Sequence, residues 1–141
     1  MTAYLEHANV TVPDVDAAIE FLRALEPEFL VRQDKSPEGG YRWAHVGSDR
    51  FYIALQEPNI GAEPNVRHPS YVNYGVNHLG WVVENVEEVS RRLEQRGYKK
   101  GVPGEPHPYR KRAYFFDNAG FEWELVEYLS ASDAERNAYD R

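Results

Sequence analysis

Three side chains stand out for the chemistry they could do together. His7 and His78 lie 71 positions apart, and Glu124 sits near the C-terminal end of the chain. Two imidazoles and a carboxylate form the 2-His-1-carboxylate donor set, which binds Fe(II) and leaves coordination positions open for water or substrate. Mn(II), Ni(II), Co(II) and Zn(II) accept the same donors. Cysteine is absent, which removes disulfides, thiol catalysis and thiolate-ligated zinc.

A hidden repeat sets these residues in matched positions. The segment from His7 to Val15 aligns with the segment from His78 to Val86 at an offset of 71, and Leu22 aligns with Leu93 at the same offset. Residues 51–57 align with 121–127 at an offset of 70. A near-constant offset points to a duplicated supersecondary unit.

Both copies read alike. Residues 4–12 and 75–83 alternate apolar and polar side chains, as strands do. Helices follow: Val15, Ala18, Ile19 and Leu22 recur at helical spacing, as do Val86, Val89 and Leu93. Asp14 and Asn85 suit the N-cap, Glu88 completes a capping box with Asn85, and Gly97 suits the C′ position. Strand-like pieces come next, at 29–32, 41–46 and 51–57 in the first copy and at 98–99, 112–117 and 121–128 in the second. The expected architecture is α+β: two βαβββ modules forming a curved mixed sheet, a half-barrel, around a shared cavity. Module 1 covers about 4–57, a Pro-containing linker 58–74, module 2 about 75–128 and a tail 129–141, all within one domain. A short helix over 132–139, capped by Ser132 with Glu135 three residues on, is expected in the tail.

Successive strand side chains point to opposite faces. Ala8, Val10 and Val12 oppose His7, Asn9 and Thr11. Leu79, Trp81 and Val83 oppose His78 and Gly80. Phe51, Ile53 and Leu55 oppose Tyr52, Ala54 and Gln56. Phe121, Trp123 and Leu125 oppose Glu122 and Glu124. One face of each strand can pack under helices, and the other carries His7, His78 and Glu124. Glu122 shares that polar face and is either a base near a substrate carbon or a plain strand carboxylate. Arg110, Lys111 and Arg112 form a basic cluster that could steer an anionic substrate. The repeat pairs His45 with Phe115, which puts His45 on the helix side as a structural residue. Trp43, Trp81 and Trp123 read as core or interface residues, and His68 as exposed in the linker.

Composition narrows the function classes. The chain has 141 residues, 42% hydrophobic and 28% charged, with 16 Lys+Arg against 23 Asp+Glu and a net charge of −7. A nucleic-acid partner needs a basic footprint that this balance does not offer. No run approaches the roughly 20 apolar residues that span a bilayer, so no membrane partner is expected. The first ten residues lack the basic start and apolar run of a secretory signal. A cytoplasmic globular domain whose ligands are small molecules or metals is the expectation.

The motifs resemble the vicinal oxygen chelate superfamily, which holds glyoxalase I, methylmalonyl-CoA epimerase, fosfomycin-resistance enzymes, bleomycin resistance proteins and extradiol dioxygenases. The carriers are His7 with Val12-Pro13-Asp14-Val15, the run Asn77-His78-Leu79-Gly80-Trp81-Val82-Val83, and Tyr114-Phe115-Phe116-Asp117-Asn118-Ala119-Gly120-Phe121-Glu122-Trp123-Glu124-Leu125. The last is similar to the family's closing strand-turn-strand, with Asn118 for its usual Pro and Phe121 for its usual Asn. The resemblance implies His7, His78 and Glu124 as metal ligands, with a divalent Fe, Mn, Ni, Co or Zn ion as cofactor. A fourth family ligand falls on Ala54, and Gln56, two residues on, is a distant substitute. The implied activity is metal-dependent Lewis-acid catalysis of the lyase, isomerase or transferase type on a small oxygenated substrate. An extradiol Fe(II) dioxygenase, with His107 and Tyr114 as acid/base groups, and a metal-free binding or resistance protein are the alternatives. Glu122 and Tyr114 are the candidate catalytic groups, and Tyr52, Gln56, Arg110 and Arg112 the candidate substrate contacts. The resemblance also implies a homodimer.

Overall fold

A computed structural model describes residues 4–62, 74 and 76–139. His68 and most of the expected linker lie outside the described residues. By backbone contacts the chain divides into two compact units, Met1–Arg67 and His68–Arg141.

The first unit runs β1 (His7–Thr11), α1 (Val15–Leu25), β2 (Leu30–Lys35), β3 (Trp43–Gly47) and β4 (Tyr52–Gln56). The second repeats the pattern as β5 (His78–Val82), α2 (Val86–Gln95), β6 (Lys99–Lys100), β7 (Arg110–Phe116) and β8 (Glu122–Tyr128), followed by α3 (Asp133–Arg136). Each unit holds a four-stranded mixed sheet, in the orders β1-β4-β3-β2 and β5-β8-β7-β6. In each, the first strand lies parallel to the last and the remaining pairs are antiparallel. The fold is therefore α+β, built from two βαβββ modules whose sheets do not close into barrels.

The helices form where caps and apolar spacing agree. Asp14 accepts from Ala17 N at 3.0 Å and Asn85 from Glu88 N at 3.0 Å, which satisfies donors left open in each first turn. The capping box is only half made: the Glu88 carboxylate lies 3.9 Å from Arg92 Nη1, and Glu127 Oε2 takes Val86 N at 2.9 Å. Gly97 closes α2 with φ 84°, a left-handed conformation that a Cβ disfavours. Each helix packs on the last two strands of its own unit. The cores are Val15, Phe21, Leu22 and Leu25 over Ala44, Val46, Ile53 and Leu55, and Val86, Val89 and Leu93 over Ala113, Phe115, Trp123 and Leu125. Ile19 is only half-buried.

Two expectations on the elements change. The tail helix spans only Asp133–Arg136, and Ser132 makes no side-chain cap; Ser130 Oγ bonds to the Glu135 carboxylate instead. His45 is not on the helix side. It pairs with Ala54, which pairs with Asn9, so it shares the polar face with His7 and Tyr52. Its repeat counterpart is Tyr114, which pairs with Glu124. The β7–β8 turn holds one residue more than the β3–β4 turn, so the offset is 70 beyond the turn and 69 before it.

Asp117 holds the β7–β8 turn. Its Oδ1 accepts from Ala119 N and Phe121 N, both at 2.9 Å, and its Oδ2 accepts from Trp123 Nε1 at 3.0 Å. The residue is buried. The turn thus anchors Trp123 inward and sets which β8 side chains face outward.

Asp117→Asn puts an amide NH₂ against a donor in either orientation, and should lower unfolding stability by about 1–3 kcal/mol. Urea unfolding checks it; a change below about 0.5 kcal/mol, the range of bland surface substitutions, contradicts the anchoring role. His45 is held below its ordinary pKa, first by burial, then by the Arg32 and His7 charges. A histidine lowered in the fold takes its proton more readily when unfolded, so stability falls as pH drops below about 6.5. The urea midpoint of wild type should fall more between pH 7.5 and 5.5 than that of His45→Phe. Parallel losses in the two proteins would contradict it.

Candidate metal centre

The second unit gathers three of the sequence-selected groups. β5 and β8 run parallel with His78 opposite Glu122 and Gly80 opposite Glu124, while β7 sets Tyr114 opposite Glu124. Paired residues share a face, so His78, Tyr114, Glu122 and Glu124 project to the side away from Trp123 and Leu125. His78 Nε2 stands 3.1 Å from Glu124 Oε2, and the Tyr114 hydroxyl donates to Glu124 Oε1 at 3.2 Å. His78 Nδ1 lies 4.0 Å from Glu122 Oε1, within ion-pair reach but beyond a hydrogen bond. The His78 ring meets the Tyr114 ring edge to face, with centroids 5.8 Å apart. Burial holds the Tyr114 phenol above its ordinary pKa, and the Glu124 carboxylate adds to the shift. The phenol therefore stays protonated and serves as a donor at neutral pH.

The first unit presents a different surface at equivalent positions. His7 stacks on Tyr52 with centroids 4.8 Å apart and planes 9° from parallel. Tyr52 also stacks on His45 at 4.5 Å, and His45 contacts Trp43 at 4.9 Å. The Arg32 guanidinium lies 4.5 Å from the Tyr52 ring centroid. Glu6 Oε1 takes His7 Nδ1 at 3.1 Å. Metal-binding histidines commonly carry such a carboxylate on the second ring nitrogen, because it fixes tautomer and ring orientation. Ala54 stands where Glu124 stands in the second unit, so the first unit's face carries the His7 and His45 imidazoles and no acid at that position. Gln56 pairs with Thr11 and Trp43, two positions along from Ala54.

Among the described residues, no group of three His, Asp or Glu side chains is gathered as a ready-made metal site. His78 and Glu124 do come together as a nitrogen–oxygen pair, and His7 belongs to the other unit.

The basic cluster separates by strand alternation. Lys111 turns to the helix side, where its Nζ lies 3.1 Å from Glu87 Oε1 of α2. Arg110 is engaged by the tail: its Nη1 donates to Arg136 O at 3.0 Å and its guanidinium lies 5.8 Å from the Tyr139 ring. Arg112 remains on the polar face beside Tyr114. His107 is clasped as well, accepting from Tyr109 N at Nδ1 and meeting Ala138 O from Nε2, both at 3.1 Å. Trp123 is a core residue and Trp81 stacks on it at 6.1 Å, but Trp43 sits on the polar face. Sequence reasoning missed the Trp43–His45–Tyr52–His7 stack, although strand alternation at the correct offset would have shown it. Arg32 and Glu6 had no signal in spacing.

The Glyoxalase/Bleomycin resistance protein/Dioxygenase superfamily profile matches residues 4–125. No curated protein matches this sequence. Among solved structures, a glyoxalase family protein from Bacillus cereus is similar at a TM-score of 0.76 and 16% identity, covering 92% of this chain and 97% of that one. A glyoxalase family protein from Enterococcus faecalis gives 0.69 and 22%, over 89% and 98%. The fosfomycin resistance protein FosX from Listeria monocytogenes, complexed with Mn(II) and sulfate, gives 0.67 and 15%, over 98% and 99%. At these identities the likeness is one of fold. The profile match over most of the sequence carries the assignment: this chain belongs to the Glyoxalase/Bleomycin resistance protein/Dioxygenase superfamily.

Proposed function

We propose that this protein is a divalent-metal-dependent enzyme acting on a small oxygenated substrate, with His78 and Glu124 as ligands and His7 as the third. The observation that carries the reading is the 3.1 Å approach of His78 Nε2 to Glu124 Oε2 on one face of the second unit. A nitrogen and an acidic oxygen that close have the donor types a first-row divalent ion takes. The Glu6 carboxylate on His7 Nδ1 gives His7 the supporting partner typical of a ligand. Mn(II) is the first ion to try, because a Listeria FosX variant is described with Mn(II) and 1S,2S-dihydroxypropylphosphonic acid.

A divalent ion held there supplies Lewis-acid polarisation of a substrate oxygen and leaves positions for substrate to chelate. The protein's own groups do the rest. Tyr114 orients the Glu124 carboxylate through its hydroxyl. Glu122 is the base candidate for a proton on a substrate carbon. The proposed reaction is of the lyase, isomerase or transferase type. The dioxygenase reading loses support because His107, which that signature would use, is engaged by Tyr109 N and Ala138 O. The same proposal includes a homodimer in the cytoplasm, with the two modules joined in a single domain.

Mn(II) titration of untagged, metal-stripped protein, followed by the EPR signal of free ion, should show one tight site per chain. His78→Ala and Glu124→Ala should each weaken it at least roughly tenfold. Their thermal unfolding should stay close to wild type, since both side chains lie outside the apolar layer. Unchanged affinity in both variants contradicts the site, and unfolding of both assigns them to packing instead.

A further inference from the structure

Beside the proposed metal ligands, an open groove of about 680 Å³ runs along β7 of the second unit. Lys99, Arg112, Tyr114, Phe116 and Glu122 line it, together with the loop 101–105. The loop lies close because of its glycines. A Cβ on Gly101 would stand 2.9 Å from Tyr114 Cβ, and one on Gly104 would stand 2.9 Å from Arg112 Cβ. Any side chain there would push the loop off β7, so the glycines keep the loop seated as one wall.

The groove has two electrically different ends. Strand register puts Phe116 opposite Glu122, Tyr114 opposite Glu124 and Arg112 opposite Val126. One end holds Glu122, with His78 Nδ1 beside it at 4.0 Å. Lys99 reaches over Phe116 at that end, 5.8 Å from the ring centroid. Arg112 occupies the other end. Its Nη2 donates to Glu105 O at 3.3 Å, a long contact, and no carboxylate stands within ion-pair distance of it among the described residues. Its Nε is buried without a hydrogen-bond partner. A half-buried guanidinium whose inner N–H is unsatisfied is costly unless something binds it. The other two cations of the run are committed, Arg110 to the tail and Lys111 to Glu87. Of the three cations in that run, Arg112 alone lines the groove.

We infer that Arg112 is the anchor for an oxyanion on the substrate, a carboxylate, phosphate or phosphonate group, held apart from the oxygens that reach the metal. This specificity assignment rests on the metal-centre reading for its chemistry. A guanidinium suits the task because it can offer two parallel N–H donors to such a group. Register also sets the reach. Arg112 lies two residues along β7 from Tyr114, the partner of Glu124, a rise of about 7 Å. The substrate is then small, with its anionic group only a few bonds from its chelating oxygens.

Inorganic phosphate is the probe, titrated by isothermal calorimetry into metal-stripped, full-length protein. Wild type should bind it saturably. Arg112→Gln should weaken binding roughly tenfold or more, as expected for a lost charge-assisted bond. Arg112→Lys should restore part of the affinity, and Lys111→Gln, on the opposite face, should bind like wild type. His78→Ala should also bind like wild type, which separates this site from the metal. No saturable binding, or equal binding by wild type and Arg112→Gln, overturns the assignment. Phosphate binding that appears only with added Mn(II) and ignores Arg112→Gln would place the anion on the ion, leaving the metal reading intact and this one refuted.

Discussion

The period of two along β8 is the constraint on which the second unit depends. Trp123 and Leu125 fill the core under α2, so Glu122 and Glu124 must face the other way. A slip of one residue would bury two carboxylates and expose an indole, at a cost no local contact could offset. Asp117 removes that freedom at the turn, since the carboxylate that accepts Phe121 N also holds the Trp123 indole. The placement of His78 against Glu124 follows from this lock and from the parallel β5–β8 register.

Duplication then gave the two units the same skeleton and different surfaces. At matched register positions Tyr52 stands for Glu122, Ala54 for Glu124 and His45 for Tyr114. The second unit's polar face is acidic and hydrogen-bonded. The first unit's is an aromatic stack under Arg32 that includes His45 and ends on His7. The histidine is common to both, and the acid belongs to one. Each face alone is an incomplete donor set for a divalent ion.

Much of this was legible in the residues. The apolar alternation in residues 7–12 and 78–83 and the helical spacing after each gave the order of elements, because burial of one face enforces those periods. The matched placement of His7 and His78 came from the same pattern. His45 was misplaced because a single offset was carried through a turn that is one residue longer in the second copy, and in a strand one residue inverts the face. Arg110, Lys111 and Arg112 were read as one cluster, although alternation already divides them. The clasp of His107 and Arg110 by the tail had no sequence signal, since it joins backbone carbonyls to side chains about 26 to 31 residues away. The Arg112 groove likewise depends on how closely the loop 101–105 lies on β7, which glycine content alone does not reveal.

The proposed site has one divalent ion bonded to His7, His78 and Glu124. Crystals grown with Mn(II) and measured near the manganese absorption edge test it most directly. A single strong anomalous peak is expected within bonding distance of both imidazoles and the Glu124 carboxylate, with His7 supplied by the same chain or by a second copy. Manganese bound elsewhere, or an occupied His78–Glu124 pair with His7 pointing away from it, would contradict the claim.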